Sequence, residues 1–524
     1  MSANYNIAIN DHSDVDDDQH QHITQEELKR YDIDVLLDKA GGFGRMQLMI
    51  IIFVFISNQG FNFFSYNFAY LELVPSLLWQ YNQGEDFTRC HDFKDIWEEN
   101  RVIDWKVDYS DPYSFHNWIT EHNLYCKSEF VIGALGSCYF IGFGFLGVLL
   151  KFADNFGRKK VIFVGCVYHM ILICALLFSN DYRAYYLILF FGGISFAKET
   201  LIYIYATEMV PTRFKAHVGG FAMLWQVVPS HIVPTLYFYF GGKYWRMAYW
   251  PCMITTIISL ILWCLIPESP KYLYSKKDWA RLHQNLNTIA FFNGKSTFRK
   301  SEDSSINNLS RHLLPNEEAE TAVSDRRTEE YSILVALKDR KTFVNLVAVI
   351  IWFSAVSFNF YIVGFFLKYI GGDIYINTLA CALSEFLGTT SSGFIQKLFG
   401  TKKSIVLWFA VAALFAAPLM FIAEPIQIAV SVLLVKYFIE VTFCFVYLIA
   451  PEYFDPLFVP FSFSICSFWA RFITMTAPQV AEVNPRQVPL IVFIAISVIA
   501  TVSAMLLSKP DQNDGLEADN NDED

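Results

Sequence analysis

Twelve long apolar runs constrain the fold of this chain more than any other feature of its sequence. Each run has about 20 to 26 residues, and about 20 apolar residues form a helix that crosses the roughly 30 Å hydrocarbon core of a bilayer. The composition agrees, because 54% of the residues are hydrophobic and only 17% are charged, against about a quarter charged in a typical soluble domain. We therefore predict an all-α integral membrane protein with twelve transmembrane helices, here called spans 1 to 12. The spans are predicted at 46–70, 129–151, 160–179, 184–207, 217–240, 246–266, 342–367, 374–395, 403–423, 426–449, 459–481 and 487–507.

Two long polar stretches divide the chain into six plus six spans. Residues 76–128 separate spans 1 and 2, and residues 267–341 separate spans 6 and 7. The net charge of -11 arises largely in two acidic tails, and such runs are usually solvated. The predicted segments are a cytoplasmic N-terminal tail (1–45), an N-terminal six-helix bundle (46–266) with a large outer loop (76–128), a cytoplasmic central loop (267–341), a C-terminal six-helix bundle (342–507) and an acidic cytoplasmic tail (508–524).

The distribution of basic residues predicts the orientation. Loops after spans 2, 4 and 8 are rich in Lys and Arg, and the alternate loops are poorer. Because basic loops face the cytoplasm, both termini are predicted inside and the loop 76–128 outside, in the plasma membrane or, alternatively, an organelle. The basic residues are Lys151, Arg158, Lys159, Lys160, Arg213, Lys215, Lys397, Lys402 and Lys403.

Two cysteines flank a polar outer loop, whereas the sequence shows no motif for a metal site or for catalysis. Cys90 and Cys126 are predicted to form a disulfide on the oxidising side, worth about 4 kcal/mol on the chain-entropy model; two free thiols are the alternative. The sequence has no CxxC pair with metal spacing and no HExxH, so no metal site or cofactor is expected. No grouping of nucleophile, acid and base stands out, so we do not expect an enzyme. The expected partners are a small organic ion and the lipid bilayer, without a nucleic acid.

Residues 152–159, FADNFGRK, resemble the signature loop between the second and third helices of the major facilitator superfamily. Further stretches resemble the organic cation/anion/carnitine transporter family within it, and together they cover nearly the whole chain between the tails. The resemblance implies two six-helix bundles around a central cavity, working by alternating access between the two sides of the membrane. The matching stretches are 34–47, 267–273, 289–295, 374–377, 382–386 and 436–478.

The resemblance also implies a set of gate residues and shows departures from the family pattern. Asn155 stands where the family usually has a base, Leu150 where it has a Gly, and Val459 where it has an Arg. The second-half signature loop, 396–403, lacks the family's Asp. The implied gate residues are Asp154, Gly157, Arg158, Glu208, Lys215 and Glu452.

Ionisable residues inside the spans are the main candidates for substrate contacts, since each costs at least about 2.5–3.5 kcal/mol near mid-bilayer. Glu385 in span 8 matches a family acid that faces the cavity and attracts cations. Arg471 in span 11 matches an Arg of the anion and carnitine carriers, where cation carriers have an Asp. An acid and an Arg across one cavity suit a zwitterion, because Arg grips carboxylates bidentately. The alternative is that Glu385 and Arg471 pair with each other.

Other span residues have a binding and a structural interpretation. Glu199 is predicted either to bind a cation or carry a coupling proton, or to form a salt bridge to another helix. Lys436 matches a family Lys, and its spacing also permits a local ion pair with Glu440. His231 is interpreted as a packed core residue; the alternative is that it binds a ligand or carries a proton. The resemblance further places Gln226 and four aromatic residues at cavity positions, where aromatic faces attract quaternary ammonium groups. The aromatic residues are Tyr203, Trp352, Tyr361 and Tyr447.

The predicted function is transport of small organic ions by alternating access, leaning to zwitterions or cations such as carnitine-like compounds and quaternary amines. Coupling to a proton or to sodium is left open. One alternative is an organic-anion exchanger anchored by Arg471. Another is a non-transporting membrane receptor or assembly subunit on a transporter scaffold.

Overall fold

The computed structural model of the chain describes residues 28–29, 31–59, 62–80, 88–90, 104–295, 338–454 and 458–508. Within these ranges the side chains of 88–90, 126, 147–151, 225–227, 447–448, 450–451 and 460 are not described. The predicted disulfide between Cys90 and Cys126 therefore lies outside the described side chains and stays a prediction.

Each of the twelve predicted spans is helical, so the predicted fold class is confirmed. In the part of the chain that the structure describes, seven helical stretches are long and apolar enough to cross a bilayer, those of spans 3, 4, 6, 7, 9, 10 and 12. Spans 1, 2, 4, 10 and 11 each consist of two or more consecutive helices, and spans 5 and 8 carry more polar residues. In chain order the spans are Arg45–Ser57 with Asn62–Ser65 and Phe68–Leu71, Glu129–Phe143 with Leu146–Phe156, Arg158–Phe178, Tyr182–Ile194 with Phe196–Glu208, Thr212–Tyr239, Trp245–Leu265, Arg340–Phe366, Ile374–Phe399, Thr401–Ala416, Pro425–Cys444 with Val446–Tyr453, Val459–Thr474 with Ala477–Ala481, and Gln487–Met505.

The spans form two bundles, spans 1–6 and spans 7–12, that meet along spans 2 and 11 and along spans 5 and 8. Span 7 lies at the centre of the molecule, because 83% of its apolar window is buried, against 33% for spans 6, 9 and 12. The outer spans present apolar side chains to the outside, as a bilayer requires. We call the side that carries the described residues 72–80 and 104–128 the outer side, and the opposite side the inner side.

Spans 2 and 4 cross with their backbones in direct contact. A Cβ atom added to Gly142 would lie 1.9 Å from the carbonyl oxygen of Phe190, and one added to Gly193 would lie 1.9 Å from that of Tyr139. No larger residue fits at either position. Small residues at such crossings allow membrane helices to approach closely enough for extensive van der Waals contact.

Short elements cover both ends of the bundles. On the outer side, strand Leu77–Gln80 pairs antiparallel with Thr88–Cys90 and with Asp104–Val107. On the inner side, the side chain of Asn293 accepts a hydrogen bond from Met46 N (2.9 Å) and donates to the Ala40 carbonyl (2.9 Å), which anchors the start of span 1. The other short elements are helices Ile33–Lys39, Trp118–Glu121, Pro270–Ser275 and Trp279–Phe292 and the 3-10 turns Leu124–Cys126, Leu367–Tyr369 and Ala417–Met420.

Candidate substrate site and gates

Glu385 pairs with Lys436 deep in the C-terminal bundle. The ammonium of Lys436 lies 3.0 Å from Glu385 Oε1, and both side chains are almost fully buried. The same ammonium donates to the Phe360 carbonyl at 2.8 Å and sits 3.3 Å from the centre of the Phe360 ring. A carboxylate and an aromatic face thus hold one cation between spans 7, 8 and 10.

His231 of the N-terminal bundle contacts the Glu385–Lys436 pair. Its Nδ1 lies 3.7 Å from Glu385 Oε2, and its ring packs on Tyr66 with centroids 4.8 Å apart. A small cavity beside the pair admits little more than a water molecule. The cavity is lined by Tyr66, His231, Phe360, Tyr361, Cys381 and Lys436, among others.

Arg471 is held by neutral groups. Its Nη1 donates to the Ser357 hydroxyl at 3.0 Å, and its guanidinium lies 3.9 Å from the centre of the Phe143 ring of span 2. The side chain is buried, and no carboxylate lies within ion-pair distance among the residues that the structure describes. Glu385 pairs with Lys436, so the alternative of a Glu385–Arg471 pair in the empty protein is wrong.

Glu199 is buried in span 4 beside the break in span 1. Asn62, the first residue after that break, donates its side-chain amide to Glu199 Oε2 at 2.7 Å. The neighbouring Lys198 points elsewhere and donates to the Ser57 carbonyl at 3.1 Å.

The aromatic candidates divide into three groups. Tyr361 packs on Phe140 with centroids 4.6 Å apart and lies near Arg471 and Glu385, so it connects the two charged positions. Tyr203 is half-buried in the inner part of span 4. Trp352 is fully buried in the apolar core. The side chains of Gln226 and Tyr447 lie outside the described residues.

The local ion pair between Lys436 and Glu440 does not form. Glu440 instead accepts a hydrogen bond from the Thr389 hydroxyl at 2.8 Å, and Lys436 turns to Glu385 on the neighbouring helix. The one-turn spacing permits a local pair, but Lys436 pairs with Glu385, which is the more buried of the two carboxylates.

A second buried ion cluster, which sequence reasoning missed, closes the outer side. Lys368 at the outer end of span 7 lies 2.9 Å from Glu72 Oε2 and 2.6 Å from Glu482 Oε1, with all three side chains buried. Tyr369 donates to Glu482 Oε2 at 2.5 Å. Burial raises the pKa of Glu72, just beyond the end of span 1, and the neighbouring Lys368 opposes this shift. Because Glu72 belongs to one bundle and Lys368 and Glu482 to the other, we call this cluster the outer gate.

The sequence signal for the outer gate was present. Lys368 is a lone Lys in the last turn of an apolar span, and it resembles a residue that reaches up to the interface. The acidic residues that follow spans 1 and 11 are the matching partners.

The predicted gate residues of the N-terminal bundle meet on the inner side. Arg158 bonds Asp154 Oδ1 at 2.6 Å and Glu208 Oε1 at 3.2 Å. Gly157 adopts a φ of +99°, and a Cβ there would lie 2.6 Å from Glu268 Oε2, so this position requires Gly.

Two of the predicted gate residues lie apart from this network. Lys215 is exposed, and the neighbouring Arg213 takes the ion pair at this corner, with Asp38 at 2.7 Å. Glu452 is half-buried at the inner end of span 10. The inner-side ion pairs of Arg158, Arg213 and Lys271 each join groups of the N-terminal half. The outer gate, in contrast, joins the two bundles through Lys368 and Glu72.

Comparison with known proteins decides the family. A family model described as Major Facilitator Superfamily matches residues 114–478, well over half of the chain. The chain belongs to the major facilitator superfamily. It is therefore a multi-pass membrane protein of a transporter family, and the predicted superfamily is confirmed.

Curated relatives of this major facilitator are named as organic cation or organic cation/carnitine transporters, the family that the sequence resembles. It is 26% identical over 227 residues to "Organic cation transporter 1" of Caenorhabditis elegans, which is 42% of this chain and 38% of that protein. It is 28% identical over 174 residues to "Organic cation/carnitine transporter 2" of Arabidopsis thaliana, 32% of each chain. The match thus spans about a third of the length of these two relatives. "Solute carrier family 22 member 4" of Mus musculus is 21% identical over 61% of this chain and 53% of that protein.

Solved structures support the fold of this major facilitator. The inward open conformation of the xylose transporter XylE from E. coli matches with a TM-score of 0.58 at 14% identity, covering 90% of this chain and 99% of XylE. At that identity the likeness concerns the fold alone.

Proposed function

We propose that this protein transports small organic ions across the plasma membrane by alternating access, with zwitterions that combine a quaternary amine and a carboxylate as the preferred class. The observation that carries the proposal is the state of Arg471. A buried guanidinium without an anionic partner among the described residues costs several kcal/mol, and charges are kept inside membranes mainly where they serve a ligand or pathway. A substrate carboxylate is the partner that its planar fork fits.

The Glu385 position supports the cationic half of the substrate. Lys436 occupies a position between a carboxylate and the Phe360 ring, and a quaternary amine is recognised by that same combination. A bound substrate amine would compete with Lys436 for Glu385. Tyr361 lies near both Glu385 and Arg471, so one small zwitterion is expected to contact both.

The alternative is an organic-anion exchanger. The unpaired Arg471 favours it equally, and Lys436 would then keep Glu385 neutralised throughout the cycle while only the carboxylate is recognised. The two functions differ in whether Glu385 contacts the substrate.

Uptake into proteoliposomes tests the proposal with three labelled probes: a betaine-like zwitterion, a quaternary cation without a carboxylate, and a dicarboxylate. We expect wild type to prefer the zwitterion. Arg471→Ala should lower zwitterion uptake by roughly 10- to 100-fold, because a charged hydrogen bond is worth about 1.5–3 kcal/mol. Uptake of the carboxylate-free cation should change little.

Arg246→Ala is the matched control, since Arg246 pairs with Glu121 inside the N-terminal bundle at 3.1 Å. Uptake of the dicarboxylate alone, with Glu385→Gln silent, would establish the anion exchanger instead. Absence of uptake for all three probes in a folded protein would favour a non-transporting role.

A further inference from the structure

Two adjoining cavities lie on the surface of the N-terminal bundle that faces away from the C-terminal bundle and the substrate site. The first is an apolar groove of about 680 Å³ between spans 2, 3 and 4. The second is a pocket of about 420 Å³ at the inner ends of spans 2, 3 and 6, where the helices Pro270–Ser275 and Trp279–Phe292 complete its wall. Phe156 and Lys160 line both cavities, so the two lie side by side.

The groove has the shape and chemistry of a site for a hydrocarbon chain. Along span 3 its wall is formed by positions 160, 161, 164, 165 and 168, which share one helix face and cover about 12 Å along the axis. Gly165 keeps the floor low, where the aliphatic stem of Lys198 fits against it. The rim residues Phe152, Phe156 and Val164 are exposed, and in a membrane protein such residues face lipid.

The inner pocket is basic. Its walls carry Lys159, Lys160 and Arg281, together with polar side chains of the helix Trp279–Phe292. Lys160 is exposed and has no ion-pair partner among the residues that the structure describes. The carboxylate of Glu268 also lines the pocket, but its Oε1 already accepts the backbone N–H groups of Lys159 and Ser269 at 3.0 and 2.9 Å.

We propose that these two cavities form one binding site for an anionic phospholipid, with an acyl chain in the groove and the phosphate in the basic pocket. An apolar channel that ends in cations at the membrane surface matches the two halves of such a lipid. The inner side is the predicted cytoplasmic side, where anionic lipids are enriched and each basic residue near the surface contributes about 1 kcal/mol of attraction. The groove lies on spans 2 to 4, which also carry Asp154 and Arg158, so a bound lipid would stabilise the bundle that holds the inner network.

The test is the thermal unfolding of the full chain in detergent with added phosphatidylglycerol, with phosphatidylcholine of the same acyl chains, or with soluble glycerol phosphate. We expect phosphatidylglycerol to raise the melting temperature by several degrees, and the other two compounds to have little effect. Lys160→Glu should remove most of the shift. Lys403→Glu should retain it, because Lys403 is the corresponding third residue of span 9, is also exposed, and lines neither cavity.

A second pair of variants tests the groove. Val164→Trp should fill it and abolish the shift, whereas Val167→Trp, on the same helix and exposed but outside the groove, should not. Equal shifts with phosphatidylcholine, or a full shift in Lys160→Glu, would overturn the proposed headgroup pocket. A full shift in Val164→Trp would overturn the groove, and an equal shift with glycerol phosphate would identify a soluble-anion site instead of a lipid site.

Discussion

Glu385→Gln is expected to lower the kcat/KM for a zwitterionic or cationic substrate by roughly 10- to 100-fold. On the proposed function, the substitution removes the anionic partner of the substrate amine, and a hydrogen bond to a charged group is worth about 1.5–3 kcal/mol. It also leaves the Lys436 ammonium buried without a counter-charge, which should lower the stability of the fold by about 3–5 kcal/mol. The measurement is initial uptake in proteoliposomes together with the melting temperature of the purified protein.

A double variant separates recognition from folding. Glu385→Gln with Lys436→Met removes both charges, so we expect the melting temperature lost in the single variant to return while uptake stays low. Glu440→Gln serves as the comparison, because Glu440 is buried nearby but is bonded by the Thr389 hydroxyl instead of a cation. Recovery of uptake in the double variant would show that Glu385 only balances Lys436 and does not contact substrate.

Lys368→Met is expected to open the outer gate. Glu72 and Glu482 would then face each other across the two bundles without the cation that lies within 3 Å of both. Met retains the length of the side chain, so the change is mainly one of charge. A cost of about 3 kcal/mol to the closed state would raise the ratio of open to closed molecules by roughly 100-fold, and uptake should fall because the cycle cannot complete.

The opening can be read from the labelling of Thr378→Cys by a membrane-impermeant thiol reagent. Thr378 is buried in the outer half of span 8, where its hydroxyl accepts a hydrogen bond from Tyr70 of the other bundle at 3.1 Å. Lys368→Met should make this position react rapidly, and Glu72→Gln with Glu482→Gln added should slow the reaction again. Arg246→Met is the control, since its ion pair lies on the outer side within a single bundle. Unchanged labelling in Lys368→Met would mean that the ion cluster does not hold the gate.

The positions of the spans could be predicted from the sequence because each membrane helix satisfies its own backbone hydrogen bonds. Apolar length alone therefore locates a span such as Arg158–Phe178, within a few residues. The charged candidates Glu385 and Arg471 could be predicted for a related reason, since an ionised group inside an apolar run is conspicuous against its surroundings.

The partners of those charges could not be predicted in the same way. Whether Lys436 bonds Glu440 or Glu385 depends on how spans 8 and 10 are rotated against each other, and a one-dimensional pattern does not contain that angle. His231 approaches Glu385 only because spans 5 and 8 meet at the interface between the bundles. The outer gate likewise joins residues from spans 1, 7 and 11, more than 100 residues apart in each case.

Phe143 and Arg471 belong to different bundles and lie 3.9 Å apart, so we expect their contact to be lost when the bundles rock apart on the outer side. A guanidinium that rests on an aromatic ring is already partly compensated, so its affinity for a carboxylate should be lower here than after the bundles have rocked apart. The substrate concentration that half-saturates transport would then be higher on the inner side than on the outer side. At equilibrium, a zwitterion without net charge still reaches equal concentrations on the two sides of the membrane unless its transport is coupled to an ion. The Phe143 ring would therefore determine how fast substrate is released, and not how much of it accumulates.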